Sequence, residues 1–209
     1  MTATEGLSYP LVFLHDCARC LALATSAGLA LNPQNYLQPT ALATIAEVCR
    51  LASVATSEEH AQQLSFTVRL LWQADFLEHR DSALHCAVEA TATWLQQPPV
   101  MQLQVLRDAW WFRLALDFQH LPTLAFPDHL ARHWRKVIRA TCLWISQQPT
   151  DQPITLKPLY TTLHTQHLTL PPGNQANLPS VQRDVAQRVR GLAAFLLRVA
   201  LPSLGLVRV

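Results

Sequence analysis

Glycine is scarce in this chain, 5 of 209 residues. That argues against Gly-rich phosphate loops and against a fold of many tight hairpins. No Gly-Lys-Ser/Thr phosphate loop and no nucleophile elbow occurs in the sequence. Lysine is nearly missing too: of 16 basic residues only Lys136 and Lys157 are Lys. The basic chemistry is therefore Arg chemistry, suited to planar, bidentate contacts with phosphate or carboxylate. A GC-rich genome gives the same bias. The 5 Cys are odd in number and follow no regular framework, which reads as reduced cytosolic thiols. Runs of membrane-spanning quality are also lacking. His15, Asp16 and Arg19 interrupt Leu11–Leu31, and no basic residue precedes it, so it is not read as a signal peptide. Arg198 and Pro202 break Leu192–Val207, which is shorter than the ~20 residues a membrane helix needs. The expectation is a soluble, cytoplasmic chain with no membrane contact.

What is present points to helices. Half the residues are apolar, enough for a core without disulfide or metal staples. Leu, Ala and Gln dominate, and these are good helix formers. The 14 Pro mark the breaks between segments. Apolar positions in Tyr9–Ala27 recur at helical spacing, and Gly28 is placed to end that helix in a left-handed conformation. Leu29-Ala30-Leu31 reads as a short strand and Asn32–Asn35 as a turn. A second helix starts at Pro39 and Thr40 and runs to about Val54. Ser57 is a natural N-cap for a third, over about 58–75, with Glu58 and Glu59 suiting its dipole. Phe76–His79 and Ala83–Cys86 read as two strands joined by Arg80-Asp81-Ser82.

Helix, strand, helix, helix, hairpin is the order of a winged helix. The run LALNPQNYLQPTALATIAEVCRLA resembles the strand-to-helix entry of the helicase-associated, XPB-type helicase N-terminal domain of bacterial proteins. TATWLQQPPVMQLQVLRDAWW resembles it as well, through Thr93, Trp94, Leu95, Pro98, Gln102, Leu106, Ala109 and Trp110. The C-terminal FLLRVALPSLGLVRV resembles the Leu-Gly-Leu-Val ending of such proteins. The similarity spans residues ~28–111 and ~192–207, and departs from the pattern at Pro33-Gln34-Asn35, where a Lys-Gly often stands. It implies a helicase-associated accessory module. With no motor motif present, it implies no ATPase activity.

The fold expected is therefore mainly α. A winged-helix unit, three helices plus a small β-hairpin wing, is placed at 1–97, and a helical, basic unit at 98–209. In the second unit, helices are expected over Gln102–Phe118, from an Asp128 cap to about Ser146, near Pro158–His164, and from a Ser180 cap to about Ala200. Residues 168–180, dense in Pro, Gly and Asn, read as a long loop. Trp94–Pro98 and Trp144–Pro149 both pass through Gln-Gln-Pro, a weak trace of an internal repeat.

Charge separates the halves. Residues 1–128 carry 6 Lys+Arg and 12 Asp+Glu, whereas 129–209 carry 10 and 2. Such a split suggests a polyanion partner or a docking surface. Arg132, Arg135, Lys136 and Arg139 fall on one helical face, opposite Leu130, Trp134, Val137 and Ile138. Four cations in two turns repel one another, and a phosphate backbone relieves that repulsion and releases counterions. Arg183 and Arg190 support them from the last helix. The bland alternatives are a solvated face, or docking onto the acidic half of the same chain. In the third helix Gln62, Gln63 and Gln73 are of the type that reads adenine. Its acidic start, and the lone Arg80 at the wing, instead favour protein docking.

Other constellations are weaker. His129-x3-His133 has the metalloprotease spacing, but residue 130 is Leu where the general-base Glu belongs. Cys17-x2-Cys20 with His15 has zinc-like spacing inside an apolar helix and lacks a second pair. His164 and His167 read as surface polarity. No metal, cofactor or catalytic residue is expected. The reading is a non-enzymatic, nucleic-acid-associated adaptor of a DNA-processing or transcription assembly, binding duplex or single-stranded DNA. The alternative is a protein–protein interaction scaffold that docks an acidic partner.

Overall fold

The computed structural model describes residues 9–49, 57–113, 131–149, 154–167 and 178–207. It is mainly helical, with one small antiparallel sheet. Two compact units emerge: residues 1–117 with 198–209, and residues 118–197. The expected boundary at 97 falls inside the first.

In the first unit, α1 (Tyr9–Ser26) is the central helix, burying Phe13, Cys17, Cys20 and Leu21. Gly28 then turns the chain at φ +71° into β1 (Leu29–Ala30). The Asn32 side chain builds the following turn, its Oδ1 accepting from the backbone N–H of Gln34 and of Tyr36, both at 3.0 Å. α2 (Pro39–Val48) starts with Pro, whose missing N–H costs nothing there. It stops short of the expected Val54, at an extended Cys49. Residues 50–56 lie outside the described residues.

α3 (Ser57–Gln73) begins at Ser57 itself, one residue earlier than expected. It closes with two backbone bonds, Asp75 N–H to Trp72 O and Phe76 N–H to Leu71 O. That is a Schellman ending, with Asp75 at φ +60° where Gly is usual. β2 (Leu77–Arg80) and β3 (Ala83–Cys86) follow as a hairpin, joined by two residues rather than the three expected. Asp81 and Ser82 have φ +48° and +63°, the type I′ form whose twist matches the strands. β3 lies centrally, pairing Leu84 with Leu29 on one side and with His79 on the other. Leu77, Leu84 and Cys86 turn inward, while His79 and Arg80 reach solvent.

α4 (Val88–Leu95), which the sequence pattern does not announce, leads to α5 (Pro99–Arg113). The corner between them is pinned by side chains. The Trp94 indole N–H donates to the Gln102 carbonyl at 3.1 Å. The Gln102 amide donates to the carbonyls of Leu95 and Gln97. Trp94 also packs against Phe76 in a tilted ring pair, 4.8 Å between centroids. Leu106 and Trp110 carry the buried side of α5, which packs on α1 and α3. Gln102, Leu106, Trp94 and Trp110 are thus structural residues.

The second unit holds α6 (Ala131–Ser146), α7 (Leu156–His167) and α8 (Leu178–Phe195), each packed on the other two. Ile138, Leu159, Leu163 and Leu192 are fully buried among them. The expected cap at Asp128 lies outside the described residues, as do 168–177 of the expected loop. Ser180 sits within α8 rather than before it, because that helix already starts at Leu178.

A π-helical turn (Leu196–Ala200) follows α8, and the boundary between the units falls inside it. Pro202 supplies the reason: it has no N–H for the Arg198 carbonyl, and its ring would crowd that carbonyl in a regular α-helix. The short α9 (Leu201–Ser203) then packs on α1. Gly205 at φ +66° ends it with a second Schellman pair, Gly205 N–H to Pro202 O and Leu206 N–H to Leu201 O. Arg107 Nε donates to the Leu204 carbonyl at 2.8 Å, tying α5 to this ending. No helix among the described residues is long and apolar enough to cross a membrane.

Candidate nucleic-acid interface

α6 is amphipathic in the sense its sequence requires. Val137, Ile138 and Thr141 are buried, while Lys136, Arg139 and Leu143 are exposed. Lys136 and Arg139 are three residues apart and share one helical face. Neither pairs with a carboxylate among the described residues. Arg132 and Arg135 belong to the first turns of the same helix, and their side chains lie outside the described residues.

On α8, Arg190 is exposed, next to the buried Val189. Tyr160 of α7 holds it. The Arg190 guanidinium lies over the Tyr160 ring at 5.9 Å from its centroid, and the Tyr160 hydroxyl donates to the Arg190 carbonyl at 3.4 Å. Sequence reasoning missed Tyr160, because the pairing joins two helices 30 residues apart and leaves no local pattern. Arg183 lies in α8, its side chain likewise outside the described residues. The second unit as a whole carries eight Lys+Arg against three Asp+Glu, a net +5, and the first unit a net −3.

In the first unit the candidate base readers fare differently. Gln63 is buried, and its amide donates to the Tyr9 hydroxyl at 3.2 Å. It braces α3 against α1, which corrects the expectation that it could reach a base. Arg69 stacks over Trp72, 4.3 Å from the ring centroid. Arg80, at the hairpin, is ion-paired with Glu78.

The cysteines are core residues. Cys17, Cys20, Cys49 and Cys86 are buried and Cys142 is half-buried, all as free thiols. Cys20 and Cys49 lie 3.8 Å apart, sulfur to sulfur. That contact and burial hold the Cys20 thiol well above its ordinary range, and burial does the same to Cys17. These are not activated nucleophiles. His15 faces solvent, away from the buried Cys17 and Cys20. Among the described residues no three His, Cys, Asp or Glu gather into a metal-ligating group. His129 lies outside the described residues, as do the side chains of His133, His164 and His167.

No protein-family model matches the sequence, and searches of curated proteins and of solved structures find no match.

Proposed function

We propose that this chain is a non-enzymatic, nucleic-acid-associated adaptor, which binds phosphate backbone through its basic helical unit and docks protein through a winged helix. The observation that carries the proposal is α6. Lys136 and Arg139 stand exposed on its outer face, with no carboxylate partner among the described residues, in a unit of net charge +5. An exposed cation without a carboxylate partner keeps its charge available for phosphate, and each one engaged releases about one counterion. Arg132 and Arg135 stand at helical spacing from these two in the sequence. Arg190 adds a further cation from α8, held over Tyr160.

For the first unit, the element order α1-β1-α2-α3-β2-β3 and the strand order β1-β3-β2 support a winged helix, as does the resemblance to the helicase-associated domain. In that reading α3 is the recognition helix. Its Gln63 serves the core, its Arg69 lies on Trp72, and the wing's Arg80 is neutralised by Glu78. Those three observations favour protein docking over base reading for this unit. They also give the second reading its weight, a scaffold that binds only protein.

Fluorescence anisotropy of labelled duplex and single-stranded DNA over a salt series separates the two. Under the first reading the full chain binds, and affinity falls steeply with salt, with a slope of roughly 0.9 per phosphate contact on duplex. Lys136→Glu with Arg139→Glu should weaken binding at least tenfold and lower the slope by about 2. No binding at low salt, or binding indifferent to the double reversal, overturns the α6 assignment and leaves the scaffold reading.

A further inference from the structure

The outer face of α5 presents large apolar side chains to solvent at both of its ends. Val100 is 71% exposed and Met101 52%, near its start; Trp111 is 47% and Phe112 80%, near its finish. Isolated exposed apolar residues need no explanation, but four on one face of one helix do. At 3.6 residues per turn, Val100, Met101, Trp111 and Phe112 fall within one third of the helix circumference. The opposite side carries Leu103, Leu106 and Trp110, already buried in the core. The middle of the outer face is polar. Gln104 and Asp108 are exposed there, and the Gln104 amide donates to the Asp108 carboxylate at 2.9 Å.

This arrangement is self-complementary. Two copies of α5 laid antiparallel about a two-fold axis at the helix midpoint bring residue i of one opposite residue 212 − i of the other. Val100 then meets the other copy's Phe112, Met101 meets Trp111, and Gln104 meets Asp108. Each small or flexible apolar side chain is set against an aromatic one, and each amide donor against a carboxylate acceptor. Asp108 thus faces an amide rather than a second Asp108. An isologous two-fold interface requires this property, and a surface shaped for an unrelated partner has no reason to have it. The four side chains of both copies together remove on the order of 1,000 Å² from water, where specific interfaces begin.

We propose that α5 is a homodimerisation helix, pairing antiparallel with the α5 of a second copy of this chain. The pairing is independent of any nucleic-acid binding by α6. An interface at the small end of specific contacts is expected to be weak, so self-association is sought from micromolar concentrations upward.

The test is sedimentation velocity on the full chain from ~1 to ~300 µM. A reversible monomer–dimer equilibrium is expected. Phe112→Glu and Val100→Lys, each on solvent-exposed positions and each checked for unchanged circular dichroism, should weaken self-association at least tenfold. Mixing the two variants tests the register. In the mixed dimer Lys at 100 meets Glu at 112 while the other end keeps its Val–Phe contact, so association should return toward wild type. A chain that stays monomeric over the whole range overturns the proposal and leaves the face to a different partner. Self-association that neither variant changes, or variants that do not complement on mixing, overturns the α5 pairing.

Discussion

Gly28 stands where two separate physical demands meet. Its φ of +71° is a left-handed conformation. A Cβ added there would also lie 2.7 Å from Cε1 of His85 and 3.1 Å from its Nε2. Gly28→Ala is therefore expected to cost ~1–2 kcal/mol in backbone strain. Overpacking against the imidazole adds ~1–3 kcal/mol. The sum, about 2–5 kcal/mol, is a large share of the ~5–15 kcal/mol that holds a domain together. His85 is half-buried on the central strand, so its ring has somewhere to go, and the lower half of the range is the better expectation. A double-mutant cycle separates the two terms. His85→Ala removes the ring, so adding Gly28→Ala to it should cost only the backbone part. Chemical denaturation of the four proteins, read as midpoint and slope, measures all the terms. The steric account fails if Gly28→Ala costs the same with and without His85. Both accounts fail if Gly28→Ala is as stable as wild type.

The wing and the second unit offer two further tests. Asp81-Ser82→Asn-Gly supplies the residues a type I′ turn favours. Because both positions have positive φ, it should raise stability by about 0.5–1.5 kcal/mol, seen as a higher denaturation midpoint; no gain would mean that the turn geometry is misread. The Cys142 thiol is pushed up to about 11 by burial, so at pH 8 it should alkylate roughly a hundredfold more slowly than the same thiol in urea. Its rate should climb about tenfold per pH unit from 8 to 10, and mass spectrometry of the quenched reaction reads both. A native rate equal to the unfolded one refutes the burial argument.

Much of this architecture can be read from local pattern, and the parts that cannot share a cause. α1 and its stop at Gly28 follow from apolar spacing and a residue tolerant of positive φ. The hairpin follows from two alternating segments, even without the usual Gly at its turn. α4 escapes notice because it buries only Thr91 and Trp94, which is too few to make a stripe. α2 ends earlier than its pattern, since Leu51 and Val54 continue the period beyond the point where Cys49 turns extended. Pro98 and Pro99 look like a break between domains. The Trp94–Gln102 bonds instead make them a corner, and α5 goes on to pack within the first unit. The C-terminal turn belongs there as well, through an Arg107–Leu204 bond between residues 97 apart. Separations of that kind leave no mark on neighbouring residues.

The candidate site shows the same limit in electrostatic form. Counting charges separates the two units but does not say which cations are free. Arg19 is paired with Asp16 and Arg80 with Glu78, Arg69 lies on Trp72, and Arg107 is spent on a carbonyl. The exposed Arg80–Glu78 pair adds little stability, ~0–1 kcal/mol, yet such a pair lowers the field a polyanion would sense. Lys136 and Arg139 make no such contact among the described residues, and α6 has no Asp or Glu along its length. Its positive face therefore repels itself unless an anion covers it. This contrast sets Lys136 and Arg139 apart from Arg19, Arg69, Arg80 and Arg107, while Arg190 of the second unit is itself held over Tyr160. It predicts that reversing the α6 pair alters salt-dependent binding, whereas removing Arg80, already neutralised, leaves it unchanged.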